Sequence, residues 1–340
     1  MMNLDFESRP AIVVWEMTRA CRLACRHCRA AARPFRDPAE FSTDEGKRLL
    51  DTIAHAEPQL LILTGGDPSR REDLLELIHH ARQNGLQIAF SPSATPDLLA
   101  LDFAALKQAG IARVSLSLDG ATPETHNQFR GVNRAWDWTM QAIEKLKTAN
   151  LPFQINSSIS SVNMSEFAHI TEYITCLSPA GWTLFLVVPT GRAEKERMPG
   201  ADEVEIMLKD LLVYARNASF SVRTTEAMHY RRIVAQNADG GRQLPIPPPI
   251  NDGKGFVFIS HIGEVCPSGF LPEVVGNVRE KAFLDIYRDA PVLRLLRDPD
   301  KLKGKCGRCE FRKLCGGSRA RAYSATGDYL AEEPLCGYHP

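Results

Sequence analysis

Apolar and polar positions along the chain fall into two alternating patterns. Short runs rich in Ile, Val, Leu and Phe recur at residues 11–15, 59–63, 87–90, 113–118, 153–158 and 184–188, and each reads as a buried β-strand. Between them lie segments with apolar residues three or four apart, the spacing of one helix face. The first helix opens at Ser42, where Ser42-Thr-Asp-Glu45 resembles a capping box, and Leu49, Leu50, Ile53 and Ala54 form its stripe. Further helices are predicted over 74–82, 96–108, 136–148, 165–176 and 202–217, with Gly85 and Gly110 as stop signals.

Six strands alternating with helices imply a parallel α/β architecture. Parallel crossovers wind in one hand, so the strands form either an open sheet or a barrel. In both, ligands bind at the carboxyl ends of the strands. Residues 21–28, 65–68, 91–93, Asp119 and 189–192 all fall at that edge.

Composition shifts at 237–254, a Gly- and Pro-rich stretch that reads as a linker. Beyond it, 255–259 and 264–266 read as a hairpin and 281–297 as a helix. The predicted organisation is therefore a barrel or sheet domain over 1–236, the linker, and a small domain over 255–340.

The candidate chemistry begins at Cys21-Arg-Leu-Ala-Cys25-Arg-His27-Cys28. Three thiolates this close converge on a metal centre only from a loop, because neither a helix nor a strand aims all three one way. Cys ligation suits zinc or iron–sulfur clusters. Three thiolates leave one iron of a cubane without a protein ligand, and an open metal position is where a substrate or cofactor binds. Arg19, Arg22, Arg26 and Arg29 crowd this loop, where cations favour thiolates. A second group, Cys306-x2-Cys309-x5-Cys315-x20-Cys336, offers four thiolates and so a closed site, either a second cluster or a structural zinc. Nine cysteines in an intracellular chain point to metal rather than disulfides.

The C-x3-C-x2-C loop after a first strand resembles the signature of the radical S-adenosylmethionine enzymes. The resemblance implies a partial (β/α)6 barrel, and a 4Fe-4S cluster on Cys21, Cys25 and Cys28 whose open iron takes the amino and carboxylate groups of S-adenosylmethionine. Gly65-Gly66-Asp67-Pro68 resembles the family's Gly-Gly-Glu-Pro segment, which binds the methionine amino group. Ser117 and Asp119 match the segment that reaches the ribose, and Arg130 the arginine that pairs with the cofactor carboxylate. Ser93, Asn156, Ser158 and Val188 with Pro189 complete the implied cofactor site. The tail resembles a shortened SPASM/Twitch-like extension with an auxiliary 4Fe-4S cluster on Cys306, Cys309, Cys315 and Cys336.

Within the family, the tail segment from Cys306 to Tyr323 is similar to the tetrapyrrole-modifying branch of haem and haem d1 biosynthesis. The implied reaction is hydrogen abstraction and oxidative decarboxylation of a propionate side chain, with a one-electron donor such as ferredoxin or flavodoxin. Arg192, His229, Arg231 and Arg232 are candidate partners for substrate carboxylates. Two positions depart from the pattern: Ser318 stands where some relatives carry cysteine, and Cys266 is an extra thiol that reads as a further ligand, a substrate-facing thiol or a buried small apolar residue. Cys176 reads as a buried small apolar residue.

Two other functions fit the same cysteines. One is a peptide maturase, disfavoured because only about ten residues precede the first strand, too few for a leader-binding module. The other is a non-enzymatic electron carrier, which leaves the 65–68 and Asp119 motifs unexplained. Formal net charge is zero, so no nucleic acid is expected as the main partner. No run approaches the roughly 18 apolar residues of a membrane span, and a cytoplasmic, soluble protein is expected.

Overall fold

The computed structural model describes residues 5–194, 198–237 and 242–340. Seven strands follow one another in the sheet in chain order, each parallel to the next: β1 (Ile12–Glu16), β2 (Leu60–Thr64), β3 (Ile88–Phe90), β4 (Ile111–Ser117), β5 (Phe153–Ile159), β6 (Gly181–Leu186) and β7 (Ser221–Thr225). The order never reverses, so the sheet lacks the switch point of a doubly wound fold. It has the winding of the expected partial barrel.

The helices between these strands are α1 (Thr43–His55), α2 (Leu74–Gln83), α3 (Pro96–Ala100), α4 (Phe103–Gln108), α5 (Pro123–Arg130), α6 (Ala135–Thr148), α7 (Phe167–Leu177) and α8 (Ala201–Asn217). The capping box on α1 forms as expected, with Ser42 and Glu45 exchanging hydrogen bonds. The single helix predicted over 96–108 is two, because the Asp102 carboxylate caps a new start by accepting from Ala104 N and Ala105 N. Cys176 is exposed rather than buried. The inward stripe of α7 is Phe167, Ile170 and Ile174, and a residue two positions beyond Ile174 points the other way.

Beyond α9 (Tyr230–Gln236), the chain pairs back onto the same sheet. The two-residue β8 (Asn251–Asp252) runs beside β9 (Gly255–Ile259), and β9 pairs in parallel with β1. Antiparallel β10 (Glu264–Cys266) and β11 (Gly276–Asn277) extend this edge. The expected hairpin is present, and the boundary drawn at residue 255 runs through a continuous sheet. The helix expected over 281–297 divides at Pro291 into α10 (Phe283–Asp289) and α11 (Pro291–Arg297). Short α12 (Gly304–Arg308) and α13 (Arg319–Thr326) belong to the tail.

Alternate strand residues face opposite sides. Val13, Trp15, Leu61, Leu63, Val114, Leu116, Ile155 and Leu184 join the helices in the main core. Their neighbours face inward, and the sheet curls around them. The Phe270 ring lies 6.4 Å from that of Phe185 on β6. Phe270 is four residues past β10, a reach of about 14 Å, whereas seven strand steps in a flat sheet would separate β10 from β6 by roughly 34 Å.

Candidate active site and cysteine-lined tail cavity

The first cysteine loop is held by backbone from four directions. Met17 N donates to Thr64 O at 2.8 Å, Cys21 N to Arg33 O at 2.8 Å, Ala24 N to Arg130 O at 3.1 Å and Arg192 N to Cys28 O at 3.0 Å. Each sulfur has a donor: Leu23 N lies 3.3 Å from Cys21 Sγ, Ala32 N 3.5 Å from Cys28 Sγ, and Arg130 Nη1 3.8 Å from Cys25 Sγ. Ser93 Oγ, itself donating to Gly66 O at 2.8 Å, is 3.5 Å from Cys21 Sγ.

Burial pushes the Cys21 thiol up to about 11 and raises that of Cys25, with Arg130 opposing the rise at Cys25. The loop arginines do not reverse this, because they are engaged elsewhere. Arg22 pairs with Asp97, Arg29 with Glu16 at 3.1 Å, and Arg19 donates to the Ala30 carbonyl. Thiols held protonated in a dry loop deprotonate when a metal replaces the protons.

Gly65-Gly66-Asp67-Pro68 forms a shelf against this loop. Gly66 N and Asp67 N each donate at 2.7 Å, to Thr18 O and Ala20 O. A Cβ on Gly65 would meet Thr18 O at 2.5 Å, and one on Gly66 would meet the Ala20 and Arg19 carbonyls at 2.6 Å. The glycines thus admit the protein's own backbone, whereas the sequence suggested that they admit a ligand. Asp67 is buried and braces the next strand end, accepting from Thr95 Oγ1 at 2.6 Å and Ser69 N at 3.1 Å, and its carboxyl is pushed up to about 6 by burial.

Asp119 and Arg130, expected to reach ribose and cofactor carboxylate respectively, face each other at 2.5 Å in a buried pair. Asp119 Oδ1 also accepts from Ser158 N at 2.8 Å. Beside this pair an open cavity is lined by His27, Phe129, Ser160, Val162 and Val187. Burial drives His27 down to about 4, and its Nδ1 is buried without a partner. Val187 takes the cavity-facing place expected of Val188, whose side chain lies in the main core. Ser117 and Asn156 lie on the inner face in one cross-strand row.

Cys306, Cys309, Cys315 and Cys336 line a single cavity in the tail. Gly316 and Gly317 have left-handed backbone, with φ of +70° and +63°, which turns Gly317 N back toward Cys315 Sγ at 3.4 Å. Glu333 N donates to Cys306 Sγ at 3.3 Å. Burial pushes Cys315 up to about 12 and raises Cys309 and Cys336. His229 is fully buried at the same cavity, driven down to about 4, with neither ring nitrogen partnered.

The tail docks on the carboxyl end of β6. Arg321 donates to the carbonyls of Leu186 (3.0 Å) and Glu226 (2.7 Å) and pairs with Glu333 at 2.9 Å. Ser318 is the N-cap of α13 and donates to the Glu226 carboxyl, which burial and the neighbouring Asp252 push well above the usual carboxylate range. A serine here serves a carboxylate network beside the thiol cavity. Cys266 is not among the tail thiols. It lies on β10 opposite Phe258 and packs with Val14 and Phe258 on the inner face.

Residues 15–174 match the family model described as the Radical SAM superfamily. The "AdoMet-dependent heme synthase" of Oleidesulfovibrio alaskensis is 40% identical, over 97% of this chain and 87% of that protein. The protein of the same name from Methanosarcina barkeri is 39% identical over 97% of each. The chain belongs to the radical SAM superfamily. It is therefore an enzyme that uses a 4Fe-4S cluster and S-adenosylmethionine. In fold it resembles Streptococcus suis SuiB bound to precursor peptide SuiA, with a TM-score of 0.75 and 16% identity over 97% of this chain and 76% of that one.

The residues at the loop fit a radical SAM cluster. The donors are two buried thiols, Cys21 and Cys25, and the half-buried Cys28, all on one loop, with a cavity and an unpartnered His27 nitrogen alongside. Among the described residues, no three His, Cys, Asp or Glu side chains converge as one metal ion requires. Thiolates that each bind a different iron of a cluster have no such need. The four residues proposed from sequence as substrate-carboxylate partners have other tasks in this radical SAM chain. Arg192 clamps the cysteine loop, donating to Cys25 O at 2.9 Å and Ala32 O at 3.1 Å. Arg231 donates to the carbonyls of Ile250 and Leu314, Arg232 pairs with Glu205, and His229 faces the tail cavity. No helix among the described residues is long and apolar enough to cross a membrane.

Proposed function

We propose that this radical SAM enzyme acts on a tetrapyrrole, removing propionate carboxylates as carbon dioxide, and that its tail holds a second 4Fe-4S cluster. The reading rests on the near full-length similarity to two proteins named for haem synthesis. When bound, the loop cluster and S-adenosylmethionine supply a 5'-deoxyadenosyl radical, the agent of hydrogen abstraction.

The chain's own residues position and shield that chemistry. Cys21, Cys25 and Cys28 would hold the loop cluster, with the shelf at residues 65–68 and Ser93 fixing their backbone. The cavity at His27, Phe129 and Val187 has the apolar, half-enclosed character that suits an adenine ring. Ser117, Asn156 and Ser158 offer polar groups on the sugar side. Asp119 and Arg130 brace Cys25 from beneath, a positioning role in place of direct cofactor contact. Cys306, Cys309, Cys315 and Cys336 would hold the tail cluster, whose chemistry is one-electron transfer.

In the overall change each propionate arm gives up one hydrogen atom to the nucleoside, carbon dioxide and one electron, and becomes a vinyl group. The electron requires an acceptor, which is the reason to prefer iron–sulfur over zinc in the tail. A ferredoxin or flavodoxin is the inferred donor for the loop. We retain 1–236, 237–254 and 255–340 as the functional division; residues 238–241 of the linker lie outside the described residues. The cytoplasm is the inferred compartment, since nine free cysteines suit reducing conditions.

Peptide maturation is the second reading, favoured by the peptide-bound neighbour. Reduced holoenzyme given S-adenosylmethionine and iron(III) coproporphyrin III separates the two. Decarboxylated porphyrin supports the first reading, and deoxyadenosine with unchanged porphyrin turns the search to peptides.

A further inference from the structure

The inner face of the sheet is divided by chemistry. On one side, Val14, Phe258 and Cys266, with Ile62 and Phe256 against them, form an apolar cluster separate from the main core. On the other side the inward residues of β4 to β7 are polar apart from Gly181 and Phe185. Arg113 Nη1 donates to Gln154 Oε1 at 2.9 Å, and Gln154 Nε2 donates to Asn156 Oδ1 at 2.7 Å and Thr183 Oγ1 at 3.0 Å. Arg223 on β7 is the register partner of Thr183 and so shares this face.

Neither Arg113 nor Arg223 has an Asp or Glu partner among the described residues. They are close enough that Arg223, after burial itself, holds Arg113 below the usual arginine range. Two guanidinium groups on one face of the sheet without an anion repel each other, and a bound anion relieves the repulsion. Planar guanidinium pairs carboxylate in a two-pronged fork.

Their place along the strands sets what they can hold. Arg113 is four residues before Ser117 on β4, roughly 13 Å from the carboxyl edge where the cysteine loop lies. A carboxylate bound at Arg113 is out of reach of chemistry at the loop, whereas Arg223 stands in the row of Ser117, Asn156 and Thr183 and is set apart by its place on β7, six strands along from the strand that leads into the cysteine loop. An apolar wall facing two cations is complementary to a flat apolar macrocycle with carboxylate arms.

Resting on the tetrapyrrole reading, we propose that Arg113 and Arg223 are specificity-determining residues that hold substrate carboxylates the reaction leaves intact. The opposite edge of the macrocycle then faces the cysteine loop, so the two arginines select which arms are decarboxylated.

The test is a Soret-band titration of reconstituted, full-length holoenzyme with iron(III) coproporphyrin III. Wild type is compared with Arg223→Gln, Arg113→Gln and the double variant, with cluster absorbance reporting an intact loop. The affinity of the double variant is expected to fall about 10- to 100-fold, and the singles less. Its residual turnover should yield a mixture of decarboxylation isomers where wild type gives one. Arg223 is exposed, so its single variant keeps the test open if the Arg113 change unsettles β4. Unchanged affinity and a single isomer in the variants, with wild type binding and converting the porphyrin, would overturn this inference alone. Failure of wild type to bind the porphyrin would overturn the tetrapyrrole reading and the inference with it.

Discussion

Arg130 joins a buried carboxylate to a cluster-loop thiol: one guanidinium nitrogen lies 2.5 Å from Asp119 and another 3.8 Å from Cys25 Sγ. Removing one partner of such a pair strands the other charge. Asp119→Ala should therefore destabilise the apoprotein by roughly 3–5 kcal/mol. Adding Arg130→Met should restore part of the loss, because it removes the stranded charge. Chemical denaturation of both variants measures this, and strictly additive losses would contradict the coupling.

Gly66→Ala tests the shelf. Its Cβ would lie 2.6 Å from two backbone carbonyls of the cysteine loop, and backbone cannot yield as a flexible side chain does. The expected outcome is a loss of about 1–3 kcal/mol or more, with loop-cluster iron lost and tail iron retained. Iron and sulfide analysis of the reconstituted variant is the check.

The thiols can be sorted by metal content. Cys315→Ala should remove the tail cluster and leave the loop cluster, whereas Cys266→Ala should keep all the iron, since Cys266 packs against Val14 and Phe258. Loss of iron from the Cys266 variant would make it a ligand after all.

Much of this site was legible in the sequence, for identifiable reasons. Buried parallel strands are continuous apolar runs, so β1 to β6 stand out, and cysteine spacing is independent of fold. Strand β7, reading Ser-Val-Arg-Thr-Thr, was missed because its inner face is polar and it carries little apolar signal. Helix α5 was missed because it buries only His126 and Phe129. Arg192 and Arg231 resemble substrate-binding arginines in sequence, and only tertiary contacts reveal that their partners are backbone carbonyls. Arg113 sits within a strand pattern, where alternation alone would have assigned it to the inner face. Its missing counter-ion is visible only in three dimensions.

Protonation of His126 should be felt in stability. Burial holds this imidazole at about 4, below the unfolded value of 6.5. Its contribution is present above pH 6.5 and is lost as pH falls from 6.5 toward 4, at about 1.4 kcal/mol per pH unit. The apoprotein with His126→Asn should lose roughly 2–3 kcal/mol less than wild type between pH 7 and 4.5. Equal losses in denaturant titrations would assign the acid sensitivity to other groups.

The central claim is that the cysteine-loop chemistry acts on a tetrapyrrole seated on the inner face of the sheet. Its most direct test is anaerobic: reduced holoenzyme, S-adenosylmethionine and iron(III) coproporphyrin III, with 5'-deoxyadenosine and porphyrin mass followed together. The account predicts that each deoxyadenosine formed accompanies one propionate converted to vinyl with loss of carbon dioxide. Deoxyadenosine accumulating beside a porphyrin of unchanged mass would contradict it.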